Sequence, residues 1–403
     1  MKQTLVLGLG ISGKAAAKYL LAQNHLVIGA DRHFETLKND SEIKLLLEEG
    51  LKLVSDLEKL DFSSISLLIL SPGIVLNHPL VIQAKTAGVE VVGELEFALR
   101  QIKNRCIGIT GTNGKTTTTL LITHILQSAG APARALGNVG RSLSSYLEEV
   151  DPEEILVLEL SSFQLEMLHT RALSAAIILN IKPNHLDRYA SFEEYRDAKM
   201  RIKELLIEDG KLFVAREIKA HFPDAKVFDE EENQSQNEQA ARMLTKLFGV
   251  SESDFLRGLE TFQRPAHRLE WVAEKNGRVY YNDSKATNVD SVMYAVRSLT
   301  GPLILLVGGH DKGAPYTPWI ECFQGKVKMV IAFGEASHKI ESELASFFPF
   351  VKVATMKDAF QCAVNSEIKD ASVLLSPGCS SYDQFRNFEH RGDEFKRLVR
   401  EEI

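Results

Sequence analysis

Ile107-Gly108-Ile109-Thr110-Gly111-Thr112-Asn113-Gly114-Lys115-Thr116-Thr117 is the stretch on which the reading of this chain turns. Its first four residues form a short apolar strand. A glycine-containing loop follows, and then a helical stretch through Leu120, Leu121 and Ile125. A loop in this setting turns its backbone N–H groups inward around phosphate oxygens. The helix N-terminus adds positive dipole, and Lys115 adds a full charge. Thr116 sits where a hydroxyl would ligate Mg2+. The usual pattern, GxxxxGK, would place its first glycine at position 109, which is Ile here, so the match is to a variant ending, GTNGKT. A helix N-cap with a chance Gly-Lys pair is the bland alternative. Nucleotide binding is preferred because strand, loop and helix stand in the required order.

Working outward, similar apolar runs alternate with helical periods along most of the chain. They include Thr4–Leu7, Leu26–Gly29, Leu67–Leu70, Ile155–Leu160, Ala176–Asn180, Leu303–Val307, Met329–Phe333 and Val373–Ser376. Continuous Val/Ile/Leu runs followed by Gly, Ser or Asn fit strands buried on both faces of a parallel sheet. The fold class is therefore α/β. Boundaries are expected near Gln101–Asn104 and near Gln263-Arg264-Pro265. The polar run Asp229–Glu238 reads as a solvated loop ahead of a helix carrying Ala240, Leu244 and Leu247.

A chain of 403 residues suggests two to four domains, and three are expected. A net charge of −7 argues against a dedicated nucleic-acid binder, which would usually show a basic patch. Cys106, Cys322, Cys362 and Cys379 form no CxxC pair, so neither a disulfide framework nor a zinc motif is suggested. No signal-peptide pattern opens the chain, and no apolar run reaches the length of a membrane span. A soluble, cytoplasmic protein is expected.

A second glycine loop, Gly8-Leu9-Gly10-Ile11-Ser12-Gly13, lies between the first strand and a helix. A further strand ends at Asp31, about twenty residues on, as in dinucleotide-binding units. The loop implies that a nucleotide diphosphate can approach the backbone there; it does not distinguish NAD from another nucleotide. Leu70-Ser71-Pro72-Gly73-Ile74 would lie near the same strand ends, and on spacing alone it reads as a turn.

Taken together, the motifs resemble those of the Mur ligases, and among them most closely the members that add D-glutamate. The resemblance rests on Ser71–Ile74, Gly111–Thr117, Leu158–Leu165, His185-Leu186-Asp187-Arg188-Tyr189, Pro265–Arg268, Asn282–Asn288, Gly308–Gly313 and Ser376–Ser381, in that order along the chain. It implies three domains, expected at 1–103, 104–264 and 265–403: a Rossmann-like UDP-sugar domain, a phosphate-loop ATPase-like domain and a C-terminal Rossmann-like α/β domain. It also implies a monomer that uses ATP and two Mg2+ ions to join D-glutamate to UDP-MurNAc-L-Ala through an acyl phosphate.

The same resemblance assigns residues. Gly111, Thr112, Asn113, Gly114, Lys115, Thr116, Thr117, Asn237, Arg268 and Asp283 would bind ATP. Thr116, Glu159, His185 and Lys199 would hold metal, Lys199 after reacting with CO2 to give a carbamate. Gly10, Ile11, Ser12, Asp31, Arg32, Ser71, Pro72, Gly73, Asn138, Ser161 and His185 would contact the UDP-sugar. Thr287, Lys312, Ser381 and Phe388 would hold D-glutamate. Lys115, Glu159, His185 and Lys199 are the candidate catalytic group. Beside the resemblance, Glu159 has its own rationale: a carboxylate ending a buried strand needs a partner, and Mg2+ is the natural one.

One departure stands out. Where the family carries a Gly-x-His-Asn segment, this chain reads Glu232–Asn237, and weaker ATP affinity is expected. Folylpolyglutamate synthase, a Mur ligase for another amino acid, an NAD-dependent dehydrogenase and a nucleotide sensor are the competing readings.

Overall fold

A computed structural model describes residues 2–185, 188–228, 235–368 and 370–401. Leu186 and Asp187 of the His-Leu-Asp-Arg-Tyr string, and positions 229–234 of the polar run, lie outside them.

Three sheets follow one another along the chain. The first comprises β1 (Gln3–Leu7), β2 (Val27–Asp31), β3 (Lys52–Ser55), β4 (Ile65–Leu70) and β5 (Glu90–Gly93), in the parallel order β3-β2-β1-β4-β5. The second comprises β6 (Cys106–Thr110), β7 (Ala133–Gly137), β8 (Ile155–Glu159), β9 (Leu173–Ile178), β10 (Leu206–Val214) and β11 (Lys226–Val227), in the parallel order β11-β10-β9-β6-β8-β7. The third comprises β12 (Glu270–Lys275), β13 (Arg278–Asn282), β14 (Leu303–Gly308), β15 (Val327–Phe333), β16 (Phe350–Lys352) and β17 (Ser372–Gly378). Its order is β12-β13-β17-β14-β15-β16.

The apolar runs behave as expected. Every residue of β6, β8 and β14 is buried, because helices cover both faces of these sheets. In the third sheet one face packs on Trp319 and Phe323 and the other on Phe360 and Phe395. Three details differ from the sequence reading. The run Ala176–Asn180 leaves the sheet after Ile178, because Asn180 turns to the phosphate loop. The polar run is helical from Gln236 onward, with Ser235 Oγ accepting from Glu238 N as the N-cap. One strand pair is antiparallel: β12 returns as β13 through Asn276-Gly277, both at positive φ, which suits a tight hairpin turn.

By contact the chain forms two compact units, Met1–Ile181 with Arg196–Phe262, and Lys182–Tyr195 with Gln263–Ile403. Within the first unit, two buried carboxylates of the helix Glu94–Leu99 join the first sheet to the second. Glu94 accepts from Ser144 N at 2.8 Å. Glu96 accepts from His169 N at 2.9 Å, Thr170 N at 3.0 Å and Arg100 Nε at 2.9 Å. Burial raises the Glu94 carboxyl above its usual range.

Candidate active site

In the first unit, the strand ends of the second sheet bring Gly111–Thr117 and Asn237 of the candidate ATP residues together; Arg268 and Asp283 belong to the second unit. The loop after β6 is shaped by glycine: Gly111 has φ +153° and Gly114, the N-cap of the helix Lys115–Ser128, has φ +84°. Only glycine adopts these without strain. The loop is pinned by Asn180, two residues past β9: its O accepts from Thr112 N and its Oδ1 from Asn113 N, both at 2.9 Å. Asn180 Nδ2 in turn donates to Gln236 Oε1 at 3.2 Å. Asn237 Oδ1 accepts from Thr118 Oγ1 at 3.2 Å, and a Cβ at position 114 would lie 2.6 Å from that oxygen. The helix Gln236–Leu247 therefore backs the phosphate loop directly. Lys115 Nζ lies 2.9 Å from the carbonyls of Gly111 and Thr112, close over the loop it is expected to serve.

Glu159 sits next door. β6 and β8 are neighbours, with Ile109 paired to Glu159, so the carboxylate emerges beside the loop. It is 2% exposed. Asn138 Nδ2, from the turn after β7, donates to Glu159 Oε1 at 3.0 Å. Glu159 Oε2 is buried and has no hydrogen-bond partner among the described residues. A buried carboxylate oxygen left in that condition is costly, and a cation relieves it. Among the described residues no three His, Cys, Asp or Glu side chains converge. A hard cation here would take one protein carboxylate and draw its remaining ligands from hydroxyl, phosphate and water oxygens, which is the habit of Mg2+.

Lys199, in the helix Phe192–Met200, is 1% exposed. Burial, and then the positive charge of Lys115, push its ammonium well below the ordinary lysine range, with Glu159 opposing them. Its amine is thus electrostatically coupled to both Lys115 and Glu159, and its equilibrium is shifted toward the neutral form. Ser161 caps the short helix Ser162–Leu165 in a reciprocal capping box with Gln164.

The first sheet carries the other glycine loop. Asp31, at the end of β2, accepts from Leu9 N and His33 N, each at 2.7 Å, so its carboxylate shapes the loop. Ser71 Oγ donates to Gly8 O at 2.6 Å, tying the Ser-Pro-Gly turn to the same strand ends. A Cβ on Gly13 would lie 1.9 Å from Gly8 O, so this position admits no side chain. Gly10, Ile11, Arg32, Pro72 and Gly73 are exposed around this edge.

In the second unit, loops after the adjacent strands β13, β17 and β14 carry Asp283 and Thr287, Ser381, and Lys312 respectively. Asp283 is buried; Ser376 Oγ donates to its Oδ2 at 2.8 Å and Leu269 N to its Oδ1 at 3.1 Å. Burial raises its carboxyl to about 7. His267 and Leu269 flank Arg268 at positive φ, +63° and +46°, so Arg268 projects from a strained turn. Lys285 Nζ lies 3.6 Å from the ring centroid of Phe388. His185, φ +56°, belongs to the 182–195 segment of this unit, where its ring lies 6.1 Å from that of Tyr195.

Three family models match in order: Mur ligase MurD-like, N-terminal domain, over residues 2–93; Mur ligase middle domain, over residues 109–253; and Mur ligase, glutamate ligase domain, over residues 267–379. The chain belongs to the Mur ligase family. A relative from Protochlamydia amoebophila (strain UWE25), UDP-N-acetylmuramoylalanine--D-glutamate ligase, is 42% identical over 99% of this chain and 98% of its own. The protein of the same name from Chlamydia pneumoniae is 36% identical over the same shares. Among solved structures, UDP-N-acetylmuramate-alanine ligase MurC from Thermotoga maritima covers all of both chains with a TM-score of 0.60 at 16% identity. MurF ligase from the same organism, solved in complex with ADP, has a TM-score of 0.60 at 16% identity, covering 90% of this chain and 92% of that one. Both share the fold.

Some residues that build this Mur ligase site carry no motif. Asn180 and Gln236 look like ordinary polar residues until the sheet order brings them to the loop. Arg391 is fully buried, and its guanidinium donates to Ser284 Oγ and O, Cys379 O and Ser380 O. It lies on an amphipathic helix, where the sequence gives an arginine every reason to face water.

Proposed function

We propose that this Mur ligase joins D-glutamate to UDP-N-acetylmuramoyl-L-alanine in cytoplasmic peptidoglycan precursor synthesis, converting ATP to ADP and phosphate. A carboxylate oxygen of the L-alanyl end attacks the γ-phosphorus, and ADP leaves. The deprotonated amine of D-glutamate then attacks the acyl phosphate carbon, and phosphate departs from the tetrahedral intermediate. Such chemistry needs positioning and charge neutralisation more than covalent help. The observation that carries the reading is the pairing of β6 with β8, which sets a buried, half-satisfied carboxylate beside a glycine-built phosphate loop. The substrates come from the relatives' names.

The amides of Gly111–Thr117 cradle the β- and γ-phosphates, and Lys115 balances their charge. Thr116, Glu159, His185 and Lys199 are assigned to two Mg2+ ions. Bound Mg2+ neutralises the charge on the transferring phosphoryl group. Asn138 holds Glu159 in one orientation, leaving Oε2 for the ion. Deprotonated Lys199 Nζ attacks CO2 and loses a proton from nitrogen, which turns a buried neutral amine into an anion suited to metal. Asn237, Arg268 and Asp283 are assigned to nucleotide. Gly10, Ile11, Ser12, Asp31, Arg32, Ser71, Pro72, Gly73, Asn138, Ser161 and His185 are assigned to the UDP-sugar. Thr287, Lys312, Ser381 and Phe388 are assigned to D-glutamate, with Lys312 facing a carboxylate. The domains are drawn at 1–103, 104–264 and 265–403, in a monomer.

Phosphate release in the presence of ATP and UDP-MurNAc-L-Ala, with the amino acid varied, tests the reading. Dependence on D-glutamate supports it. Turnover only with L-glutamate, lysine or diaminopimelate, or turnover of NAD, overturns it.

A further inference from the structure

Lys312 and Ser381 are carried by different loops, and their separation has to be set by something other than the substrate. The backbone begins the job: His310 N donates to Ser380 O at 2.9 Å and Ser380 N to His310 O at 3.2 Å. Beneath that bridge lies Tyr316, 2% exposed, with its ring 4.9 Å from Trp319. Its hydroxyl donates to Asp311 Oδ1 at 2.8 Å and lies 3.0 Å from Cys379 Sγ. A phenol has one proton and a carboxylate has none to give, so the Cys379 thiol donates to the phenolic oxygen. Burial raises the Tyr316 hydroxyl, and raises the Cys379 thiol to about 12, so both keep their protons. One hydroxyl thus links the residue before Lys312 to the second residue before Ser381.

Asp311 is secured from its other side as well. Lys339 Nζ donates to Asp311 Oδ2 at 3.0 Å and to Ala314 O at 2.9 Å, and Gly313 N donates to Oδ1 at 3.2 Å. Burial alone would raise the Asp311 carboxyl, but the bonds from Tyr316 and Lys339 hold it below the usual range. Lys339 lies on the helix Ser337–Leu344, and one turn further on Glu343 accepts from Tyr316 N at 2.6 Å and Thr317 N at 3.0 Å. A single helix therefore clamps the loop through a cation and an anion. The arrangement also has a charge logic. Asp311 is next to Lys312 in sequence, and an uncommitted carboxylate there would compete with a substrate carboxylate for the Lys312 ammonium. Lys339 supplies Asp311 with its own counter-ion.

We infer that Tyr316, Asp311 and Lys339 are positioning residues for the amino-acid pocket, fixing the Lys312 loop against the Ser381 loop and keeping Asp311 from competing with the incoming carboxylate. The inference rests on the assignment of Lys312 and Ser381 to the added amino acid. The amino-acid preference of the wild type tests that assignment separately, and the variants are measured on whichever amino acid the wild type adds.

Tyr316→Phe keeps the ring and removes the hydroxyl. Its KM for the amino acid should rise about tenfold, the size of one hydrogen bond to a charged group. KM for ATP and for the UDP-substrate should stay within about twofold, with kcat and the thermal midpoint near wild type. Lys339→Met should raise the same KM, and Lys339→Arg should bring it back to within about threefold. An unchanged amino-acid KM in both Tyr316→Phe and Lys339→Met overturns the inference. So does a parallel rise in all three KM values, which would mark a general loss of structure.

Discussion

Replacing Gly114 by Ala strains the phosphate loop in two ways. At φ +84° an L side chain is disfavoured by about 1–2 kcal/mol. The new Cβ would also lie 2.6 Å from Asn237 Oδ1 and 3.3 Å from Leu179 Cδ1. Asn237 has to yield, and the bond it accepts from Thr118 contributes roughly 1 kcal/mol. Together about 2–3 kcal/mol favours a rearranged loop, which ATP must reverse in order to bind. Affinity for ATP should therefore fall about 30- to 150-fold, at 1.4 kcal/mol per factor of ten. Titration calorimetry with ATP reads this directly, alongside thermal unfolding. Gly50→Ala is the control: its φ is +107°, and a Cβ there would meet nothing within 4 Å. It should lose some stability and keep its ATP affinity within about twofold. Wild-type ATP affinity in Gly114→Ala would refute the claim that this backbone shape makes the phosphate site.

Glu159→Gln keeps an acceptor for Asn138 and removes the charge, so kcat should fall about 100- to 1,000-fold with an unchanged thermal midpoint, and more Mg2+ should be needed for half-maximal rate; a near-normal rate at low Mg2+ counts against metal ligation. If Lys199 works as a carbamate, Lys199→Met should lose at least about 100-fold in rate, and wild-type activity should depend on bicarbonate; an undiminished rate removes the carbamate. Lys199 also has a pH signature. Its amine is depressed below 10.5 in the fold, so the unfolded chain takes up its proton first and stability falls as pH drops below that value. Lys199→Met should escape that loss in denaturant titrations. Asp283 works in the opposite sense. Its folded carboxyl, raised from 3.8 to about 7, keeps a proton that the unfolded chain has lost, so stability falls as pH rises across that window. The stability of Asp283→Asn relative to wild type should climb by about 2–3 kcal/mol between about pH 5 and about pH 8; a flat difference would place Asp283 in water.

The α/β class and the phosphate loop were legible in the sequence for one reason. Strands buried on both faces read as unbroken apolar runs, and the glycines between strand and helix cannot be replaced without strain. Glu159 was legible because a carboxylate is out of place at the end of such a run. What escaped was pairwise. Glu94 and Glu96 look like solvated helix residues, yet both are buried against the second sheet, and no local pattern announces the distant amides they accept from. Asn180 reads as the last residue of a strand and is in fact a clamp on the loop that follows the neighbouring strand β6. Arg391 and Tyr316 escaped in the same way, since each has a partner on a loop distant in sequence, Ser284 and Cys379 respectively. The β12–β13 hairpin escaped because β12 is half-exposed, and its mixed sequence lacks the apolar continuity of a buried strand.

The central claim is that the loop Gly111–Thr117 and Glu159 act on one phosphoryl group. A crystal structure with a non-hydrolysable ATP analogue and Mg2+ measures this most directly. The terminal phosphates should lie inside the ring of loop amides, with Lys115 upon them and a Mg2+ ion on Glu159 Oε2. Nucleotide bound elsewhere, or an ion out of reach of Glu159, would contradict it.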